Sequence, residues 1–360
     1  MTSDTEVLFE TRGPVGLITL NRPKALNALT LDMVRAMQAK LDQWAADDAI
    51  SCVVVRGAGE RAFCAGGDIR AMTESGRAGT SYALDFWREE YILNAAIKHY
   101  RKPYIALIHG VCMGGGVGVS VHGDYRIADA SSLFAMPETG IGFFPDVGGS
   151  FILSHAPGEL GMYLALTGAR LKLADALYAG LATHWLPSDE WPSLLDALCR
   201  GDDPANVVAE MGRLPLPNAP LSDLRACIDH VFAASSVEDI LAALDRDDSD
   251  WARETAATMR SRSPTSLKLA FSEVRAGRTL TFNDCMRMEY RIASRILSGC
   301  DFYEGVRAVI VDKDNAPRWQ PASLPDVAAA EIKAYFEPLE KELPLQSSFD
   351  VMARNCGPSR

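Results

Sequence analysis

The chain has 360 residues, 48% hydrophobic and 23% charged, which is enough apolar material for one large domain with an appendage, or two domains, and too much for global disorder. The formal net charge of −11 argues against a nucleic-acid footprint, because phosphate binding wants a basic surface. The eight cysteines form no Cys-x-x-Cys pair, the opening residues are acidic rather than a signal or transit pattern, and no apolar run reaches the roughly 18 residues that span a bilayer; a cytoplasmic setting with no membrane partner is expected.

Residues 15–20 read as a strand, stopped by Asn21-Arg22-Pro23. Thr30 is placed to cap a helix over 31–46, where Leu31, Val34, Leu41 and Trp44 recur at helical spacing. A β-branched run at 52–55 reads as a buried strand that feeds a first glycine cluster, Cys64-Ala65-Gly66-Gly67-Asp68. The pattern predicts a long helix over 82–100, then a strand at 104–108 leading into a second cluster, Met113-Gly114-Gly115-Gly116. Short strands follow at 125–128 and 133–136. From about residue 158 helical patterns take over, at 158–167, 173–179, 190–198, 221–233, from Ser263-Pro264-Thr265 onward, and at 282–297. The expected division is a strand-rich core over 1–200 and a mainly helical region over 201–360, an α/β chain.

The run Met136-Pro137-Glu138-Thr139-Gly140-Ile141-Gly142-Phe143-Phe144-Pro145-Asp146-Val147-Gly148-Gly149 sets two carboxylates eight positions apart in a frame too rich in Gly and Pro for an ordinary helix or strand. Glu138 is either a solvated turn residue or an acid in a pocket; Asp146 is either the N-cap of the helix after it or the second acid. The apolar Ile141, Phe143 and Phe144 between them favour a pocket, where acids gain raised pKa values and become useful for proton transfer. Each glycine cluster alone reads as close helix packing, and Gly114–Gly118 fails the G-x-G-x-x-G pattern of dinucleotide binding. Two strand-to-helix glycine turns together can aim two N–H groups at one oxygen. Glu90 shares a helix face with Phe86, Leu93 and Ile97, so it is either paired with a base or lining a pocket. The six histidines show no metal-ligand spacing and read as structural, and no serine sits in G-x-S-x-G.

Taken together, Asn21-Arg22-Pro23-Lys24-Ala25-Leu26-Asn27-Ala28-Leu29, Phe63-Cys64-Ala65-Gly66-Gly67-Asp68, His109-Gly110 with the following glycines, and Asp301-Phe302-Tyr303-Glu304-Gly305-Val306-Arg307-Ala308 resemble the crotonase (enoyl-CoA hydratase/isomerase) superfamily over about residues 7–335. The resemblance implies a crotonase-like ββα spiral core, a helical C-terminal region completing the substrate pocket, and an acyl-CoA thioester held across the core. CoA is then part of the substrate, with no separate cofactor and no metal. It implies oxyanion donors at Gly67 and Gly115, a catalytic acid at Glu138, the additional acid of the superfamily's hydrolase branch at Asp146, a substrate-pocket acid at Glu90, a CoA-bordering segment at Lys24 and Ala25, and a homo-oligomer. Hydratases of this superfamily carry a second glutamate where this chain has Gly118. Hydrolysis of a short 3-hydroxyacyl-CoA is therefore expected, with hydration or isomerisation, or non-catalytic CoA binding, as alternatives.

Overall fold

The structure, a computed structural model, describes residues 5–213 and 218–345. Its strands are Val7–Arg12 (β1), Val15–Leu20 (β2), Cys52–Gly57 (β3), Ala62–Cys64 (β4), Tyr104–Ile108 (β5), Val111–Met113 (β6), Tyr125–Ala128 (β7), Leu133–Ala135 (β8), Leu171–Lys172 (β9) and His184–Trp185 (β10). They form a six-stranded sheet in the order β1-β2-β3-β5-β7-β10 and a four-stranded sheet in the order β4-β6-β8-β9. Only the edge pairs β1–β2 and β8–β9 are antiparallel. The strands β3, β5 and β7 each enter the larger sheet, and the strands that follow them, β4, β6 and β8, each enter the smaller one. This repeat is the ββα spiral. It brings the carboxyl ends of β4, β6 and β8 side by side, because these three strands are parallel neighbours.

The larger sheet is apolar on both faces, as expected where helices cover a parallel sheet. Val15, Leu17, Val54, Ile105 and Leu107 face one cluster closed by the helix Trp191–Cys199; Ile18, Leu20, Val53, Val55 and Ile108 face a larger one closed by Leu31–Ala45 (α1). Each fully buried side chain of this size contributes roughly 1.5–3 kcal/mol of transfer free energy. Thr30 caps α1 as anticipated, its hydroxyl accepting from Met33 N at 3.2 Å.

Two further helices follow the first glycine turn, Ile69–Ala78 (α2) and Tyr82–Lys98 (α3), and four-residue Gly115–Gly118 (α4) follows the second. Gly149–Ser154 (α5) follows the Gly/Pro frame. Beyond β10 the described residues contain helices and turns but no strand. The later helices are not a separate body. Pro264–Gly277 packs on α5, Phe282–Ile296 packs on α3, and both share the larger apolar cluster with the sheet.

Candidate active site

Gly67, Gly115 and Glu138 follow β4, β6 and β8, so the spiral alone converges them. They line a cavity of about 200 Å³ together with Glu90, Asp146, Trp87 and Phe143. Val309 and Ile310 from the C-terminal region also line it. A Cβ built on Gly66 would lie 3.8 Å from Gly115 N, so the two glycine turns face one another directly. Leu29 N donates to Gly66 O and Asp68 N donates to Leu29 O, which takes up one edge of the first turn and leaves the Gly67 N–H on the opposite edge. Gly115 is the first residue of α4, where helical N–H groups have no partner within the helix.

The acids stand close to these donors. A Cβ on Gly115 would fall 2.5 Å from Glu90 Oε1, and one on Gly114 would fall 3.1 Å from Glu138 Oε1. A side chain at either glycine would run into these carboxylates. Glu138 and Asp146 are each 6% exposed and Glu90 is 2% exposed, so the solvated-turn reading of Glu138 is set aside. Glu90 has no base beside Oε1, and Glu138 Oε2 has no partner either; both are pocket acids.

Asp146 is not an N-cap. Gly148 occupies that position of α5, and no side chain of its own caps the helix. Asp146 instead accepts a 2.8 Å hydrogen bond from the Tyr91 hydroxyl. The capping falls to Glu289, which accepts from Gly148 N at 2.7 Å and from Ser150 N at 3.0 Å. His122 Nε2 bonds to Val147 O at 2.6 Å; since a carbonyl only accepts, that nitrogen carries the proton. Burial holds His122 neutral, with its pKa lowered to about 3.

Burial raises every one of these carboxyls, because a dry cavity disfavours charge. Asp146 is pushed up to about 7, while the Tyr91 hydroxyl pulls the other way. Glu138 and Glu90 are raised well above the ordinary range, by burial first and by the neighbouring Asp146 second. At neutral pH such a cluster shares protons rather than ionising fully.

The candidate CoA-bordering residues Lys24 and Ala25 lie outside this cavity, exposed on a short 3-10 turn, Pro23–Ala25. Their segment nevertheless runs along the first glycine turn, since Ala65 N donates to Leu26 O at 3.0 Å. Tyr91, His122, Glu289 and the fully buried Glu273 escape the sequence reading as site residues. A signal existed for Glu289: Cys285, Met286, Ile292 and Ala293, three and four positions away, are all buried, the same argument that singles out Glu90.

Position 118 has a physical explanation. A Cβ there would lie 2.8 Å from both Val147 Cβ and Asn94 Nδ2, so packing leaves no room for a larger side chain.

The enoyl-CoA hydratase/isomerase family model matches residues 15–336. The chain belongs to that family. Curated relatives include the mitochondrial 3-hydroxyisobutyryl-CoA hydrolases of Danio rerio, 47% identical over 94% of this chain and 91% of the relative, and of Homo sapiens, 43% identical over 93% and 89%. Among solved structures, a carnitinyl-CoA dehydratase from Mycobacterium thermoresistibile superposes with a TM-score of 0.89 at 43% identity, covering 94% of this chain and 98% of that one. An enoyl-CoA hydratase from Rhodobacter sphaeroides also gives 0.89, at 38% identity over 95% and 100%. The mitochondrial names overturn the cytoplasmic expectation. Unpaired thiols and the lack of a spanning run among the described residues fit either compartment, so neither property could decide between them.

Proposed function

We propose that this member of the enoyl-CoA hydratase/isomerase family hydrolyses 3-hydroxyisobutyryl-CoA to 3-hydroxyisobutyrate and CoA, a thioester cleavage of valine breakdown. The observation that carries the reading is the pairing of Glu138 with Asp146 in one cavity, while position 118 has no room for the hydratase acid. The names of the similar hydrolases support it.

In this reading the thioester oxygen sits between the N–H groups of Gly67 and Gly115. Negative charge grows on that oxygen as the carbonyl is attacked, so these donors stabilise the transition state more than the ground state. Removing one such donor costs roughly 3 kcal/mol in comparable sites. Glu138 faces the carbonyl carbon and either takes a proton from the attacking water or attacks directly to give a mixed anhydride that water then opens. Both routes break the C–S bond, add the elements of water and release CoA as its thiol. Asp146 holds the substrate hydroxyl or Glu138 in place and takes up a proton in turn. The Lys24-Ala25 turn borders the CoA moiety. A single turnover in oxygen-labelled water separates the routes, since label in the Glu138 carboxylate is the signature of the anhydride.

The test is thiol release across branched and straight 3-hydroxyacyl-CoAs, with crotonyl-CoA as the comparison. Rapid thiol release from 3-hydroxyisobutyryl-CoA, without hydration of crotonyl-CoA, supports the proposal. Hydration without free thiol contradicts it.

A further inference from the structure

The turn that carries Asp146 is strained and held from outside. Val147 has φ +53° and Gly148 φ +84°, and for a β-branched residue such as Val147 the left-handed region is an outlier. A Cβ on Gly148 would lie 2.5 Å from His122 Cε1. What keeps this turn in shape comes from about 140 positions away in the chain: Glu289 receives Gly148 N, Ser150 N and the Ser150 hydroxyl on its two oxygens. Glu289 is completely buried, and burial pushes its carboxyl up to about 8 although these donors pull it down. Glu273 lies beside it, equally buried, with neither oxygen partnered. Burial, then Glu289, raises the Glu273 carboxyl well above the ordinary range.

A short helix is ordinarily capped by its own preceding Asp, Ser or Thr at far lower desolvation cost. Here Asp146 stands two positions before the N-cap, where it could serve the turn locally, yet its side chain is turned away to Tyr91 and the cavity. The buried carboxylate on Phe282–Ile296 does the capping in its place.

We propose that Glu289 is a positioning residue of the reaction: by clamping Val147–Ser150 it frees the Asp146 side chain and aims it at Glu138 and the substrate. This rests on the thioesterase reading above. An amide at 289 would meet Gly148 N or Ser150 N with a second donor, so the clamp loses one of its backbone bonds while the side-chain volume stays the same.

The experiment is a double-mutant cycle with 3-hydroxyisobutyryl-CoA, reading kcat and KM for wild type, Glu289→Gln, Asp146→Asn and the pair, with urea unfolding of each as a control. Glu289→Gln should lower kcat by about 30-fold or more and leave KM within about threefold, and in the Asp146→Asn background it should cost less than about threefold, since its route to the chemistry is gone. Wild-type kcat in Glu289→Gln, or losses that simply multiply in the pair, overturns the proposal. If Glu289→Gln does not fold, Ser150→Ala removes one donor to the same carboxylate and should lower kcat a few-fold, by about 3 to 10, again only while Asp146 is present; multiplication there overturns it equally. Wild type that releases no thiol from any 3-hydroxyacyl-CoA defeats the thioesterase reading itself, and this inference with it. An active wild type with an indifferent Glu289 defeats this inference alone.

Discussion

Replacing Asp146 with Asn should weaken the catalyst and strengthen the fold. The carboxyl is buried with its pKa raised to about 7. Measured against an ordinary aspartate, that rise corresponds to about 4 kcal/mol of burial energy that ionisation sets against the fold. A raised folded-state value means the carboxyl's support for folding is complete below the unfolded value, near ~4, and drains away as pH climbs through about 7. Asparagine keeps the shape and never ionises. It still accepts from the Tyr91 hydroxyl, although the bond to a neutral group is weaker by about 1 kcal/mol. Between pH 5 and pH 8 the balance should therefore move in favour of the variant by about 2–3 kcal/mol. Urea midpoints of the two proteins at both pH values read this directly. The same substitution should lower kcat for thiol release by about 100-fold or more, the scale of a lost acid–base partner. It should also shift the rising limb of the pH–rate profile toward acid, because a neutral amide no longer opposes ionisation of Glu138. A stability difference that stays constant from pH 5 to pH 8, or a wild-type rate, refutes the reasoning.

Gly118→Glu drives a carboxylate into Val147 and Asn94, so a loss of roughly 1–3 kcal/mol or more in urea unfolding is expected, with no gain of crotonyl-CoA hydration. Gly115→Ala places a methyl 2.5 Å from Glu90 Oε1 and should abolish most thiol release, measured as kcat/KM, while unfolding stays cooperative. Tyr91→Phe takes away the hydroxyl that donates to Asp146 and holds its side chain, so kcat for thiol release at neutral pH should fall by about tenfold.

The sequence yields the strands readily where they are unbroken β-branched runs, as at Cys52–Gly57 and Tyr104–Ile108. It does not yield Val7–Arg12, whose burial is mixed, or three-residue Ala62–Cys64 and Val111–Met113, too short for any periodicity. Those two short strands matter most, since they place Gly67 and Gly115. Their partnership is a property of the two-sheet spiral and of long-range pairing, which no local window contains. The acids were legible because Gly and Pro around Glu138 and Asp146 exclude ordinary secondary structure. What holds Asp146 and its turn was not: Tyr91, which donates to Asp146, is 55 positions away, Glu289 accepts from Gly148 and Ser150 about 140 positions off, and only the packing of Tyr82–Lys98 and Phe282–Ile296 brings them in. Asp146 illustrates the limit well, because the pattern supports an N-cap there until the structure shows another carboxylate already performing that task.

The most direct test of the account is thiol release from 3-hydroxyisobutyryl-CoA by Glu138→Gln, with folding checked by urea unfolding. The side chain keeps its volume, and it sits against the second glycine turn, where the proposed mechanism puts the carbonyl carbon. A folded protein whose kcat has dropped by about 1,000-fold or more is the outcome the account requires. A folded Glu138→Gln protein that turns over near the wild-type rate contradicts it.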